Sequence, residues 1–402
     1  MFPIIKSLID TDAYKLFMQQ AVYHLYPDTV ITAEFRCRNN ENLGEYVNLI
    51  IEQINFLADV HLNEEEYHYL LSLNIFNDEY LTWLKSFRFN PNQIKIANQG
   101  GKLILTISGK WVEAILWEVP LLAIISEVAH KAVQTINQND IILIAKDKLI
   151  NNLNELVDES TKENIPLTDF QLIEFGTRRR YSFEVQNTII ETLKEFEIEN
   201  SPNFFSGTSN LFFAFKHNLN AVGTQAHEWF QAHQQLAPSL ETSQQFALSQ
   251  WLKIYPTQLP IALTDCINMD AFLRDFDANF ASQFQGLRHD SGDPITWGEK
   301  ALAHYQQLSI NAQNKKLVFS DNLDLTKALS IYRHFLGRIQ TSFGIGTRLT
   351  CNIPTIKPHN IVIKLTTCNG KPVAKISDEP GKIMCNDTNY IKKLADAFNI
   401  NV

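Results

Sequence analysis

His227 stands in the stretch Gly223-Thr224-Gln225-Ala226-His227-Glu228, after the short apolar pair Ala221-Val222 and ahead of a helical pattern. This reads as a strand exit, a tight turn and a helix start, with the imidazole in the first helical turn. Backbone N–H groups have no intrahelical partner there, so the position suits an anion; it equally suits a surface or capping histidine. Asp265, Asp290 and Asp321 follow short apolar runs in the same manner. Each can orient an imidazole, hold ribose hydroxyls or bind Mg²⁺, and each can instead cap the helix behind it. Paired carboxylates also permit a glycosidase. Two features favour an anionic substrate over a neutral sugar. Arg178, Arg179 and Arg180 offer guanidinium forks for phosphate or carboxylate, the alternative being a solvated cluster paired with Glu184. One arginine is expected in the site and the others in the scaffold. Gly344-Ile345-Gly346-Thr347 exposes backbone N–H groups that can cup a phosphate, the alternative being a tight turn. A zinc protease is set aside: His227-Glu228 opens like HExxH, but His233 lies six residues on, where the imidazoles diverge.

The elements that must position these residues change character along the chain. Up to about residue 157 the pattern is α+β. A helix opens after Asp10 or Thr11 as cap, carries Tyr14 in its first turn and runs to about Tyr26. A strand follows over 29–38, then helices over 45–57, 64–73 and 78–87. A hairpin is expected over 93–108 around Asn98-Gln99-Gly100-Gly101, and helices over 111–133 and 141–157. From Asp169 onward, short apolar strands lead into polar turns and amphipathic helices. The strands are expected at 170–175, 204–205, 221–222, 261–263, 284–287, 317–319 and 339–343. Repeated strand–helix units imply a parallel sheet, open or closed into a barrel, with ligands at the C-terminal strand ends. A last hairpin over 360–366 and 371–376, around Asn369-Gly370, breaks the repeat. The expected organisation is an N-terminal domain over 1–140, completed by 355–402, and a site-bearing unit over 141–354.

Composition bounds the partners. The 402 residues are 45% hydrophobic and 20% charged, which are globular values. A net charge of −9 and a pI near 5.7 argue against general nucleic-acid binding. Five cysteines without CxxC spacing fit a reducing cytoplasm and neither a disulfide framework nor a zinc site. The N-terminus has no apolar h-region of a signal peptide. The apolar stretch 114–129 is broken by Glu118, Pro120 and Glu127, so a buried helix is expected there and no membrane span.

Seven motifs, read in order, carry a resemblance. They are Asp10-Thr11-Asp12-Ala13-Tyr14-Lys15, Ala33-Glu34-Phe35-Arg36, Phe175-Gly176-Thr177-Arg178-Arg179, Gly207-Thr208-Ser209-Asn210, Gly223-Thr224-Gln225-Ala226-His227-Glu228, Arg288-His289-Asp290-Ser291-Gly292-Asp293-Pro294 and Ser342-Phe343-Gly344-Ile345-Gly346-Thr347. With them the chain resembles the bacterial nicotinate phosphoribosyltransferase family over essentially its whole length. The resemblance implies an α/β fold of the type II phosphoribosyltransferases: an irregular, incomplete α/β barrel joined to an α/β (α+β) domain built from both chain ends. It implies a cytoplasmic homodimer acting in NAD salvage as an ATP-coupled carbon–nitrogen ligase. Nicotinate, phosphoribosyl pyrophosphate, ATP and water would give nicotinate mononucleotide, diphosphate, ADP and phosphate.

The same resemblance implies roles. His227 would carry the phosphoryl group of ATP, Asp265 would orient it, and Asp290 would meet the ribose. Phe175 and Tyr14 would sandwich the pyridine ring, with Tyr14 donated across the dimer. Arg178 and Arg288 would serve anionic groups. Gly344, Gly346, Ser320 and Asp321 would hold the 5′-phosphate side. Mg²⁺ is implied for the leaving diphosphate, with no ligands assigned. Nicotinamide-using relatives look as though they place an aspartate at the position of Ser209, so serine would favour the acid substrate.

Overall fold

The computed structural model describes residues 2–39, 41–196, 204–354, 356–379, 382–383, 385 and 387–401; residue 355, where the returning segment is expected to begin, lies outside them. In chain order the strands are β1 (Val30–Cys37), β2 (Ile94–Gln99), β3 (Lys102–Lys110), β4 (Leu172–Glu174), β5 (Phe205–Thr208), β6 (Ile261–Leu263), β7 (Gly286–His289), β8 (Lys316–Phe319), β9 (Gln340–Ile345), β10 (Ile361–Cys368) and β11 (Lys371–Pro372). They form two sheets. One is antiparallel, in the order β11-β10-β1-β3-β2, and mixes strands from both chain ends. The other is parallel, in the order β5-β4-β9-β8-β7-β6.

The parallel sheet is the incomplete barrel. Ala221-Val222 does not form the expected strand. It makes one bridge, from Ala221 to Thr208, and Val222 N donates to Thr208 O at 2.9 Å. The next residues reach the opposite edge through side chains: Thr224 Oγ1 donates to Ile261 O, and Gln225 Oε1 accepts from Leu263 N at 3.3 Å. The strip 221–225 thus spans the gap between β5 and β6 without a ladder. Gly223 packs closely within it. A Cβ there would lie 2.8 Å from Tyr14 N, so the strip is pressed against the start of the helix Ala13–Leu25.

Several boundaries differ from expectation. Strands β5, β7 and β9 run into the polar motifs, so Gly207-Thr208, Arg288-His289 and Gly344-Ile345 are strand residues. The helix expected over 141–157 spans Gln138–Lys162, started by Asn137, whose side chain accepts from Asn139 N. The helix expected over 111–133 is a short turn Trp111–Ala114, a 3₁₀ segment Ile115–Trp117 and the helix Glu118–Val133. Pro120 cannot donate to a carbonyl in the preceding turn. Neither Asp10 nor Thr11 caps the first helix; Asp12 holds that position without a side-chain bond.

The C-terminal hairpin turns at Asn369-Gly370, both with positive φ (50° and 73°), as its two-residue loop requires. Its second strand ends at Pro372 rather than 376. The chain then leaves the sheet, and Ile376 N donates to Cys266 O at 2.9 Å, beyond the end of β6. This carries Lys375 to the mouth of the parallel sheet. One contiguous apolar core underlies both sheets, and a smaller cluster seats the helix Thr388–Ala397 against Ile267 and Ala271. The stretch 114–129 is buried within this core, and no described helix is long and apolar enough to cross a membrane.

Candidate active site

A cavity of about 1230 Å³ runs along the parallel strands, from Gln285 and Lys316 at their N-terminal starts to the residues at their C-terminal ends. Tyr14, Phe175, Arg178, Ser209, Arg288, Asp290, Ser320, Asp321, Gly344 and Gly346 all line it. Their positions follow from the strand ends. Phe175 leaves β4 with its N donating to Ile345 O at 2.9 Å, and its ring lies over Gly344 in β9. A Cβ on Gly344 would fall 2.3 Å from that ring, so the glycine makes room for Phe175. Gly344 is therefore a strand residue under an aromatic wall, and only Gly346 begins the turn that the sequence suggested for both.

The aspartates at the strand exits are not caps. The helices behind them start on Asn268, Asp293 and Asp324, each three residues after Asp265, Asp290 and Asp321, and each cap accepts a backbone N–H. The exit carboxylates are thereby left for other partners. Asp321 pairs with Lys382 at 2.9 Å. Asp290 accepts from Ser320 Oγ at 2.9 Å and faces Arg288 Nη2 at 3.4 Å; Arg288, though burial opposes it, keeps the carboxyl below its ordinary range. Arg288 Nη1 donates to Gln225 O, while its buried Nε has no partner among the described residues.

His227 and Asp265 sit behind this wall. His227 is the first residue of the helix His227–Leu236 and lines a side cavity of about 50 Å³. That cavity shares Tyr14, Arg178, Arg288 and Asp290 with the large one. Its Nε2 lies 2.7 Å from Asp265 Oδ1. Asp265 Oδ2 accepts from Ser291 Oγ at 2.6 Å and Lys375 Nζ at 2.7 Å. Burial pushes the Asp265 carboxyl up, but His227 and Lys375 outweigh it and hold it well below the carboxylate range. Burial, aided by Lys375, lowers His227 to about 4, so the ring is neutral at pH 7. An ionised Asp265 can only accept, so the single ring proton belongs on Nε2. Nδ1 is then the unprotonated nitrogen, and it has no hydrogen bond among the described residues.

The three consecutive arginines separate. Arg180 is fully buried and bound to Asp10 and Glu127 at 2.8 Å each; it belongs to the scaffold, and Glu184 is not its partner. Arg178 and Arg179 both line the large cavity, so two arginines are in the site rather than one. Arg178 contacts Asp12 and Glu118 at 3.6 and 3.8 Å, too long to saturate its fork. Burial, with Arg178 and Arg38 nearby, lowers Arg179 to about 10.

Ser209 Oγ donates to Asp12 Oδ1 at 2.8 Å, so this wall already holds a carboxylate next to Ser209. Tyr14 is brought here by its own chain: Ala13 N donates to Ser209 O at 2.6 Å, and Asp12 bridges Asn210. The resemblance places Tyr14 across a dimer; the short path from Asp12 to Ser209 puts it beside Arg178 of the same chain. His233 points away from the site, with Nε2 against Tyr26 Oη at 2.9 Å and Nδ1 against Trp229 O at 2.6 Å, as expected of a scaffold residue.

Ligand atoms of His227, Asp265 and Asp290 fall within 4.8 Å of one another. They do not fit Mg²⁺, which takes oxygen ligands in octahedral geometry. One member is an imidazole whose Nε2 is engaged, and both Asp265 oxygens are taken, one by the Lys375 ammonium. Sequence reasoning missed Lys375, Lys364, Lys382, Ser291 and Glu118. Ser291 stands in the motif that follows β7 but carries no mark of its own there; the others stand in no strand-exit motif, and the lysines arrive from the terminal segment.

Comparison with known proteins agrees with this geometry. The nicotinate phosphoribosyltransferase (NAPRTase) family matches residues 170–402, and the N-terminal domain of that family matches residues 9–126. A nicotinate phosphoribosyltransferase of Proteus mirabilis (strain HI4320) is 55% identical over 403 residues, covering 99% of this chain and 97% of the relative. One from Escherichia coli O45:K1 is 55% identical over 399 residues, with the same coverage. The crystal structure of nicotinate phosphoribosyltransferase from Vibrio cholerae superposes with a TM-score of 0.93 at 39% identity, over 100% of this chain and 95% of that one. The enzyme from Porphyromonas gingivalis gives 0.88 at 31% identity, over 99% and 100%. The chain belongs to the nicotinate phosphoribosyltransferase family.

Proposed function

We propose that this protein joins nicotinate to the ribose of phosphoribosyl pyrophosphate, and that ATP drives the reaction through a phosphoryl group carried on His227. The observation that carries this reading is a neutral imidazole whose one proton is committed to an ionised Asp265. Such a ring offers Nδ1 as a nucleophile without first losing a proton. Asp265 then stabilises the positive ring that phosphorylation creates, while Ser291 and Lys375 fix the carboxylate.

In the glycosyl step the pyridine nitrogen of nicotinate attacks C1 of the ribose as diphosphate leaves. The developing charge is oxocarbenium-like, so alignment and neutralisation of the leaving group carry the catalysis. Phe175 and Tyr14 supply the aromatic walls of the ring site, and the unsaturated Arg178 fork takes the nicotinate carboxylate. Ser209, engaged with Asp12, keeps a second carboxylate out of that wall and favours the acid over the amide. Arg288 serves an anionic group, Asp290 the ribose hydroxyls, and Ser320, Asp321, Gly344 and Gly346 the 5′-phosphate side. Mg²⁺ is assigned no place at the His227, Asp265 and Asp290 set, and no step runs through it.

The test is a steady-state assay of nicotinate consumption with and without ATP. We expect nicotinate mononucleotide in both, faster and further toward completion with ATP, and no product from nicotinamide at equal concentration. Binding of phosphoribosyl pyrophosphate without any mononucleotide would replace this reading with that of a sensor.

A further inference from the structure

The small cavity beside His227 holds one cation that no anion among the described residues pairs with directly. Lys364, on β10, lines that cavity together with His227, Glu118, Arg288 and Asp290. Each of the other cations around it has a carboxylate within 4 Å. Lys15 bridges Glu118 and Glu228 at 2.6 and 2.5 Å, Lys375 holds Asp265 at 2.7 Å, Arg288 faces Asp290 at 3.4 Å, and Arg178 lies between Asp12 and Glu118. Lys364 makes no hydrogen bond or ion pair with any described residue, although it pairs in register with Glu34 of β1, which is bound to Arg36. Tyr14 completes the titratable groups on this wall. A half-buried ammonium without an ion-pair partner is costly, so a site that keeps one has an anion to receive there.

We propose that Lys364 is the cation that holds the phosphoryl group once it has moved to His227. This rests on the phosphohistidine reading above. In the step, the bond from the γ-phosphorus to its bridging oxygen breaks and ADP leaves with the electron pair. The lone pair of His227 Nδ1 forms the new N–P bond, and Nε2 keeps its proton against Asp265. The product adds a dianion beside a ring that has become positive. Asp290, 3.8 Å from His227 Nε2, opposes that dianion, and Lys364 offsets the repulsion. Burial, with Lys375 and Arg178 adding to it, lowers Lys364 to about 8. The ammonium is therefore retained at neutral pH and lost above it, so phosphoryl uptake is expected to weaken as pH rises through that value.

The test is rapid-quench labelling from γ-labelled ATP between pH 6 and pH 10, on the full-length protein and on Lys364→Met and Lys364→Arg. In the unaltered protein, the second-order rate constant of His227 labelling should fall as pH rises through about 8. Lys364→Met should label about tenfold more slowly and lose that limb, since a preorganised charge is removed. Lys364→Arg should restore most of the rate and carry it past the pH at which lysine fails. Labelling of Lys364→Met at the full rate with the limb intact would overturn the proposal alone. An unlabelled His227 in the unaltered protein would overturn the parent reading and this one with it. Should Lys364→Met not fold, persistence of the same limb in Lys364→Arg decides against the proposal.

Discussion

His227 is useful as a phosphate acceptor because two opposed effects are both strong at one residue. Burial and Lys375 keep the ring neutral, and Asp265 fixes which nitrogen holds the proton. Replacing Asp265 by Asn should break the second effect while leaving the shape intact. The amide can donate as well as accept, so the ring can adopt the other tautomer. We expect phosphoryl uptake to fall by up to about 10⁴-fold, the loss found for the same change in a catalytic triad, measured as the single-turnover rate of labelling. The sign of the acid limb follows from the lowered value. Below pH 6.5 an unfolded histidine protonates while His227 does not, and uptake should be lost only as pH falls through about 4. A limb near 6.5 would mean that the ring is not buried as described.

At the scale of elements, the aspartates at the strand ends divide labour with residues three places on. Asp293 caps the helix Pro294–Gln307 by accepting from Thr296 N at 2.8 Å, and Asp290 faces the cavity. Asp293→Ala should cost about 1 kcal/mol of stability, read from denaturant unfolding, with turnover nearly unchanged. Asp290→Ala should leave stability nearly unchanged and abolish most turnover. Equal effects of the two on both measurements would refute the division. This offset was not legible in the sequence, where either aspartate of a pair can cap. Strand ends were also placed early at β5, β7 and β9. An apolar run stops where side chains begin to face the cavity, but the ladder bonds continue through Thr208, His289 and Ile345. The sequence did show which motifs meet at one mouth, because each follows an apolar strand. Lys364 and Lys375 were invisible because their strand looks like an ordinary hairpin, and only the exit of the chain after Pro372 brings Lys375 to Asp265.

The whole molecule joins its two sheets at the site. The first helix is pinned to the end of β5 through Ala13 and Ser209, and Lys15 ties that helix to Glu228, next to His227. Tyr14 thus lines the cavity of its own chain. Co-expressed Tyr14→Ala and His227→Ala chains should therefore show no recovery of activity, because neither chain holds a complete site. Recovered activity in mixed assemblies would show that Tyr14 is exchanged between chains.

All of this depends on His227 accepting the γ-phosphoryl group, and that is directly measurable. After incubation with γ-labelled ATP, the protein should carry an acid-labile, base-stable phosphate that maps to His227, and His227→Ala should carry none. Labelling of His227→Ala to the same stoichiometry as the unaltered chain would contradict the account.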